Sequence, residues 1–168
     1  QNGTQRDCSM EIIKQLYDVA RVFEEVKDLQ ITAKSFSQIA EVELSYRGLE
    51  NSPKLIFDDI RQTALCISTR GAEGNGDFGM LQRGISRIKA FMFKGGYTIE
   101  NAIVDAARAA YIATLLEKGE TSIEKYNGDP LSVAPLQVLP ALPSRLNRLK
   151  RQSPEAFYYW AKVSQLLS

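Results

Sequence analysis

Residues 98–119, TIENAIVDAARAAYIATLLEKG, decide the fold class. Strong helix formers dominate this stretch, and Ile99, Ile103, Ala106 and Ala110 recur at helical spacing as one buried face. Ala102, Ala106, Ala109 and Ala113 make a second stripe of small side chains. Small residues let a neighbouring helix approach near the short end of the usual range of about 8–10 Å between axes. Thr98 is placed to cap the first turn and Gly119 to end the last. The pattern predicts a central helix.

Helical spacing continues upstream. Ile12, Leu16, Val19, Phe23 and Val26 trace one stripe, predicting a first helix from about Ser9 to Leu29. Thr32 is the expected cap of a second helix carrying Phe36, Ile39, Val42 and Tyr46 and ending at Gly48. Ser52-Pro53 opens a third, because proline at the first helical position loses no needed N–H. That helix presents Phe57, Ile60, Ala64 and Ile67 and ends at Arg70-Gly71. Residues 71–79, GAEGNGDFG, read as a flexible loop before a fourth helix with Leu81, Ile85, Ile88 and Met92 inward, closed by Gly95-Gly96.

Downstream the texture changes. Pro130, Pro135, Pro140 and Pro143 break residues 129–143 into an extended strap, whose leucines and valines predict that it lies across the bundle. Residues 144–168 hold two terminal helices, one with Leu142, Leu146 and Leu149 behind it and one with Phe157, Trp160, Val163 and Leu167. No strand pair and no internal repeat is visible. The expectation is all-α: a single helical domain over 1–168, a bundle of about seven helices.

The chain has 168 residues, 44% hydrophobic and 24% charged, which suits one globular core. It contains no histidine, excluding Ser-His-Asp, Cys-His and His-ligated zinc chemistry. Cys8 and Cys66 form no C-x-x-C motif, so a reducing, cytoplasmic setting is expected. No apolar run reaches the roughly 20 residues that span a bilayer. A start at Gln1 rather than methionine favours excision from a longer polypeptide, and Asn2-Gly3-Thr4 is better explained by chance than by glycosylation.

Gly74-Asn75-Gly76-Asp77-Phe78-Gly79 matches G-x-G-x-x-G, but a helix rather than a strand precedes it, so it reads as an interhelical loop. Two-metal chemistry needs carboxylates that converge on ions about 3.5–4 Å apart. Glu41 and Glu43 diverge by about 200° on a helix, and Asp58-Asp59 sits near the start of the third helix, where negative charge is favoured. These acids read as solvated helix residues, and no metal ligand is assigned. Arg108, within the alanine-rich helix, reads most simply as the partner of Asp105. Phe157, Tyr158, Tyr159 and Trp160 read as the anchor of the last helix rather than a base-stacking platform.

Charge is unevenly placed. The net charge is +1, yet Arg145, Arg148, Lys150, Arg151 and Lys162 face only Glu155 in the tail. Arg145, Arg148 and Arg151 recur every three residues opposite Leu142, Leu146 and Leu149, and Arg83, Arg87 and Lys94 form a second basic stripe. Solvated faces are the simple reading of both; contact with nucleic-acid phosphates is the functional one.

KQLYDVARVFEEVKDL (14–29), ELSYRG (43–48), DDIRQTALCISTRG (58–71) and RGISRIKAFMFKGGYTIENAIVDAARAAYIATLL (83–116) resemble the helical C-terminal region of AbiEii-type nucleotidyltransferases, a family that includes toxins of abortive-infection, type IV toxin–antitoxin systems. The resemblance implies an accessory domain without catalysis of its own. A Gly-Ser loop, D-x-D carboxylates, magnesium and nucleoside triphosphate would belong to an N-terminal catalytic domain of the same polypeptide, and tRNA or another RNA would be the acceptor. No catalytic residue carries over to this chain. The contrasting expectation is a stand-alone interaction or oligomerisation module, whose small-residue stripe and strap dock a partner protein or a second copy. A small-ligand pocket between helices is a third.

Overall fold

A computed structural model describes residues 9–35, 53–91 and 95–168. Seven α-helices occur among them: α1 (Ser9–Glu25), α2 (29–35), α3 (Pro53–Ser68), α4 (Phe78–Ile88), α5 (Ile99–Lys118), α6 (Leu149–Gln152) and α7 (Pro154–Leu167). No strand occurs among the described residues. The protein is an all-α bundle.

The α5 helix is its centre, as the alanine pattern requires. Thr98 accepts from the Asn101 N–H (3.3 Å) while the Asn101 side chain accepts from the Thr98 N–H (3.0 Å), a reciprocal cap that satisfies two otherwise orphaned donors. Gly119 ends the helix in the left-handed conformation. Ala102, Ala106, Ala109 and Ala113 are all buried, and α1, α3 and α7 pack around the helix. Residues from α1 through α7 and the strap contribute to a single core.

The first helix is shorter than its apolar stripe implies. It stops at Glu25, and Asp28 rather than Thr32 starts α2: its carboxylate accepts from the Gln30 N–H (2.8 Å), while Thr32 donates back to the Asp28 carbonyl (3.1 Å). Both residue types cap helices, and the aspartate comes first in the chain. Cys8, Asn2-Gly3-Thr4, the apolar row of the second helix with Gly48, Glu41 and Glu43, Ser52, Met92 and Lys94 lie outside the described residues.

Gly84 has a reason that periodicity does not reveal. A side-chain carbon there would come within 2.6 Å of the Ser9 carbonyl oxygen, so the glycine lets α4 lie directly on the start of α1. Gly74 works similarly in the loop before α4. Its φ is +80°, and a Cβ would stand 2.4 Å from the Gln62 carbonyl oxygen. The glycine-rich loop is therefore seated against α3 rather than merely spanning two helices, and Asp77 at its end caps α4 by accepting from Met80 (3.1 Å).

The strap lies on the bundle through buried Val133, Val138 and Leu142, but it is not extended throughout. Asp129 caps a 3-10 turn, Pro130–Val133, in which the proline occupies the favoured first turn. Leu139 N–H then donates to the Ser164 hydroxyl of α7 (3.0 Å).

Candidate nucleic-acid interface

The tail arginines ride on a turn fixed from behind. Ser144–Arg148 is a 3-10 helix continuing into α6. In 3-10 geometry residues three apart lie one above another, so Arg145 and Arg148 share a face and Leu146 and Leu149 share another. Leu142, Leu146 and Leu149 are buried, while Arg145, Arg148 and Arg151 are exposed. Asn147 braces the turn, accepting from the Val138 N–H (3.2 Å) and donating to the Ser144 carbonyl (3.1 Å). Lys150, counted with the tail's charge, turns to the strap: its ammonium donates to the Ala134 carbonyl (3.2 Å) and sits 5.1 Å from the Phe157 ring.

Arg145 Nε lies 3.9 Å from the Glu73 carboxylate, and neither Arg148 nor Arg151 pairs with a carboxylate among the described residues. Arg83 and Arg87 are exposed on α4, and Arg87 is already engaged in an interaction. The α4 helix packs chiefly on α1, whereas the arginine turn packs on α6 and α7. The two basic stripes thus rise from different parts of the bundle, and Lys94, expected in the second, lies outside the described residues.

A second charged cluster was not visible in the sequence. The Asp105 carboxylate, 2% exposed, accepts from the Tyr97 hydroxyl (2.7 Å) and from Arg21 (2.9 Å). Burial raises the Asp105 pKa despite these contacts, and burial together with the Asp105 charge raises that of Tyr97. The expected Arg108–Asp105 pair is only a peripheral contact at 3.9 Å. Arg108 instead donates to Glu155 of α7 (3.2 and 2.5 Å) and to Glu24 of α1 (2.7 Å). Burial alone would lower its pKa, but the hydrogen bonds and charges of the two glutamates raise it.

A cleft of about 420 Å3 adjoins this cluster, lined in part by Tyr17, Asn101 and Val104. Its arginines are engaged by Asp105, Glu24 and Glu155. The arrangement ties α1, α5 and α7 together and leaves little charge for a ligand. Arg61 does the same between α3 and α5: it is buried, and binds Asp58, Glu117 (2.6 Å) and Thr114 (3.3 Å). Asp58 is thus an ion-pair partner rather than a simply solvated acid. Among the described residues no group of three or more Cys, Asp or Glu residues is arranged to hold a metal ion.

The tail aromatics are an anchor. Phe157, Tyr159 and Trp160 are buried; Trp160 donates to Ser68 (2.9 Å), and the Tyr159 hydroxyl accepts from the Tyr126 N–H (3.1 Å). Tyr158 remains half-buried, its ring 5.8 Å from that of Tyr126. No described helix is long and apolar enough to cross a membrane. Comparison with protein-family models, with curated proteins and with solved structures finds no match to this chain.

Proposed function

We propose that this chain is the helical accessory domain of an AbiEii-like nucleotidyltransferase, silent in catalysis by itself, which holds an acceptor nucleic acid against the arginine row of its tail. The observation that carries the binding role is that Arg148 and Arg151 are exposed on the 3-10 turn and the adjoining α6, which buried leucines anchor, and have no carboxylate partner among the described residues. A guanidinium offers paired donors to phosphate oxygens, and each phosphate it neutralises releases counterions. The sequence resemblance supplies the remainder of the reading: magnesium and nucleoside triphosphate would be held by a catalytic domain, and tRNA is the acceptor class.

The small-residue stripe that motivates a docking module is consumed internally, since Ala102, Ala106, Ala109 and Ala113 are buried against this chain's own helices. The accessory reading is therefore favoured over the docking one.

Titration of the chain against tRNA at low and high salt tests the binding role. Binding should weaken as salt rises, with log K falling by about 0.7–0.9 per phosphate contact for each tenfold rise in salt. The combined variant R145A/R148A/R151A should bind at least about tenfold more weakly at low salt. Absence of binding at both salts overturns the role. The accessory part predicts strands with Gly-Ser and D-x-D encoded within roughly one domain length upstream; a native start close to Gln1 opposes it.

A further inference from the structure

We propose that Glu73 acts as a built-in competitor for phosphate at Arg145, so that Arg148 and Arg151 make the first contacts and Arg145 joins only when its carboxylate is displaced. The inference rests on the nucleic-acid role proposed above and names how that same row is regulated.

The geometry is specific to the loop between α3 and α4. Glu73 N–H donates to the Thr69 hydroxyl (2.9 Å), and that hydroxyl donates to the Leu65 carbonyl (2.7 Å), fixing the Glu73 backbone to the end of α3. One residue later, Gly74 allows the loop to touch α3, and the Asn75 N–H bonds the Gln62 carbonyl (3.3 Å). The end of α3 is in turn tied to α7 by the Trp160–Ser68 hydrogen bond. A carboxylate that sequence distance would leave unrelated to the tail is thereby held 3.9 Å from Arg145 Nε.

Both partners are substantially exposed, with side-chain exposures of 47% and 40%. The pair is consequently weak and open to exchange with a phosphate, which brings more charge and more acceptor oxygens than a carboxylate. A guanidinium occupied by Glu73 neutralises no phosphate, so it releases none of the cations condensed on the nucleic acid. Occupation by Glu73 should therefore appear in the salt dependence of binding as well as in affinity.

The test is titration with labelled tRNA across a salt series, using the wild-type chain, E73Q, R145A, E73Q/R145A and R148A/R151A. Gln keeps the backbone bonds of residue 73 and removes only its charge. E73Q should bind about two- to fivefold more tightly, consistent with loss of an exposed ion pair. Its log K against log salt should be steeper by about 0.7–0.9, one additional phosphate contact. Both gains should vanish in E73Q/R145A. If they persist there, the effect is general charge repulsion and the competitor role is wrong. If R148A/R151A abolishes binding while E73Q changes neither affinity nor slope, this inference fails and the nucleic-acid role stands. If R148A/R151A leaves binding intact, the nucleic-acid role fails and takes this inference with it.

Discussion

Arginine does opposite work in two regions of this bundle. At the junction of α1, α5 and α7, Arg21 and Arg108 are matched to Asp105, Glu24 and Glu155 within 3 Å. On the 3-10 turn and α6 before α7, Arg148 and Arg151 have no such partner among the described residues, and Arg145 has only a distant one. The difference lies in where the acids go. Glu155 is the lone acid among residues 144–168, and it points inward to Arg108. Its use by Arg108 leaves Arg148 and Arg151 without a carboxylate among the described residues. A charge count sets Glu155 against the tail arginines; the fold pairs it with Arg108 of α5.

Removing Arg108 should break that contrast most severely. Arg108→Ala leaves Glu24 and Glu155 without their shared cation and opens a gap between α5 and α7. Breaking a buried ion pair from one side costs about 3–5 kcal/mol, and the partial exposure of the two glutamates reduces this to about 2–4 kcal/mol. Urea denaturation followed by circular dichroism would measure it. A loss below about 0.5 kcal/mol would mean that the cluster does not tie these helices together.

Asp105→Asn tests the floor of the same cluster through pH. The folded-state pKa of Asp105 is raised, mainly by burial, above its unfolded value of about 3.9, so the folded state binds the extra proton. The contribution of this group to stability is fully present below the unfolded pKa and is lost as pH rises through the folded one. Asparagine removes that titration. The stability advantage of wild type over Asp105→Asn should therefore shrink from about pH 3.5 towards neutrality in paired urea titrations. An advantage that grows with pH would show that Arg21 and Tyr97 outweigh burial.

Short-range physics was legible and long-range pairing was not. The cap at Thr98, the stop at Gly119 and the buried alanines follow from residues close together in the chain, and so does the leucine back of the arginine turn. The partners of Arg21 and Arg108 lie on other helices, so the three-residue spacing from Asp105 to Arg108 offered a nearer but weaker match. One signal was present: Asp105 and Arg108 are the two charged residues within the mostly small and apolar run 102–116, and charges in such a place need partners. Gly84 was opaque for the same reason, because the backbone that it admits belongs to the distant start of α1. The candidate interface was legible as a row of arginines, but the hold of Lys150 on the strap and the arrival of Glu73 at Arg145 both depend on how the strap and the loop are seated.

Arg148→Ala should have the smallest effect on folding. Its side chain is exposed and has no carboxylate partner among the described residues, while the buried surface of the turn is carried by Leu146 and Leu149. Substitutions at such positions change stability by less than about 0.5 kcal/mol. The same urea titrations that report a large loss for Arg108→Ala should thus leave Arg148→Ala close to wild type. A loss above about 1 kcal/mol would mean that the guanidinium braces the turn, and the outer row would then be an extension of the inner one. An unchanged midpoint with weakened tRNA binding would separate the two regions completely: one set of arginines is needed for the bundle to exist, and the other only for what the bundle touches.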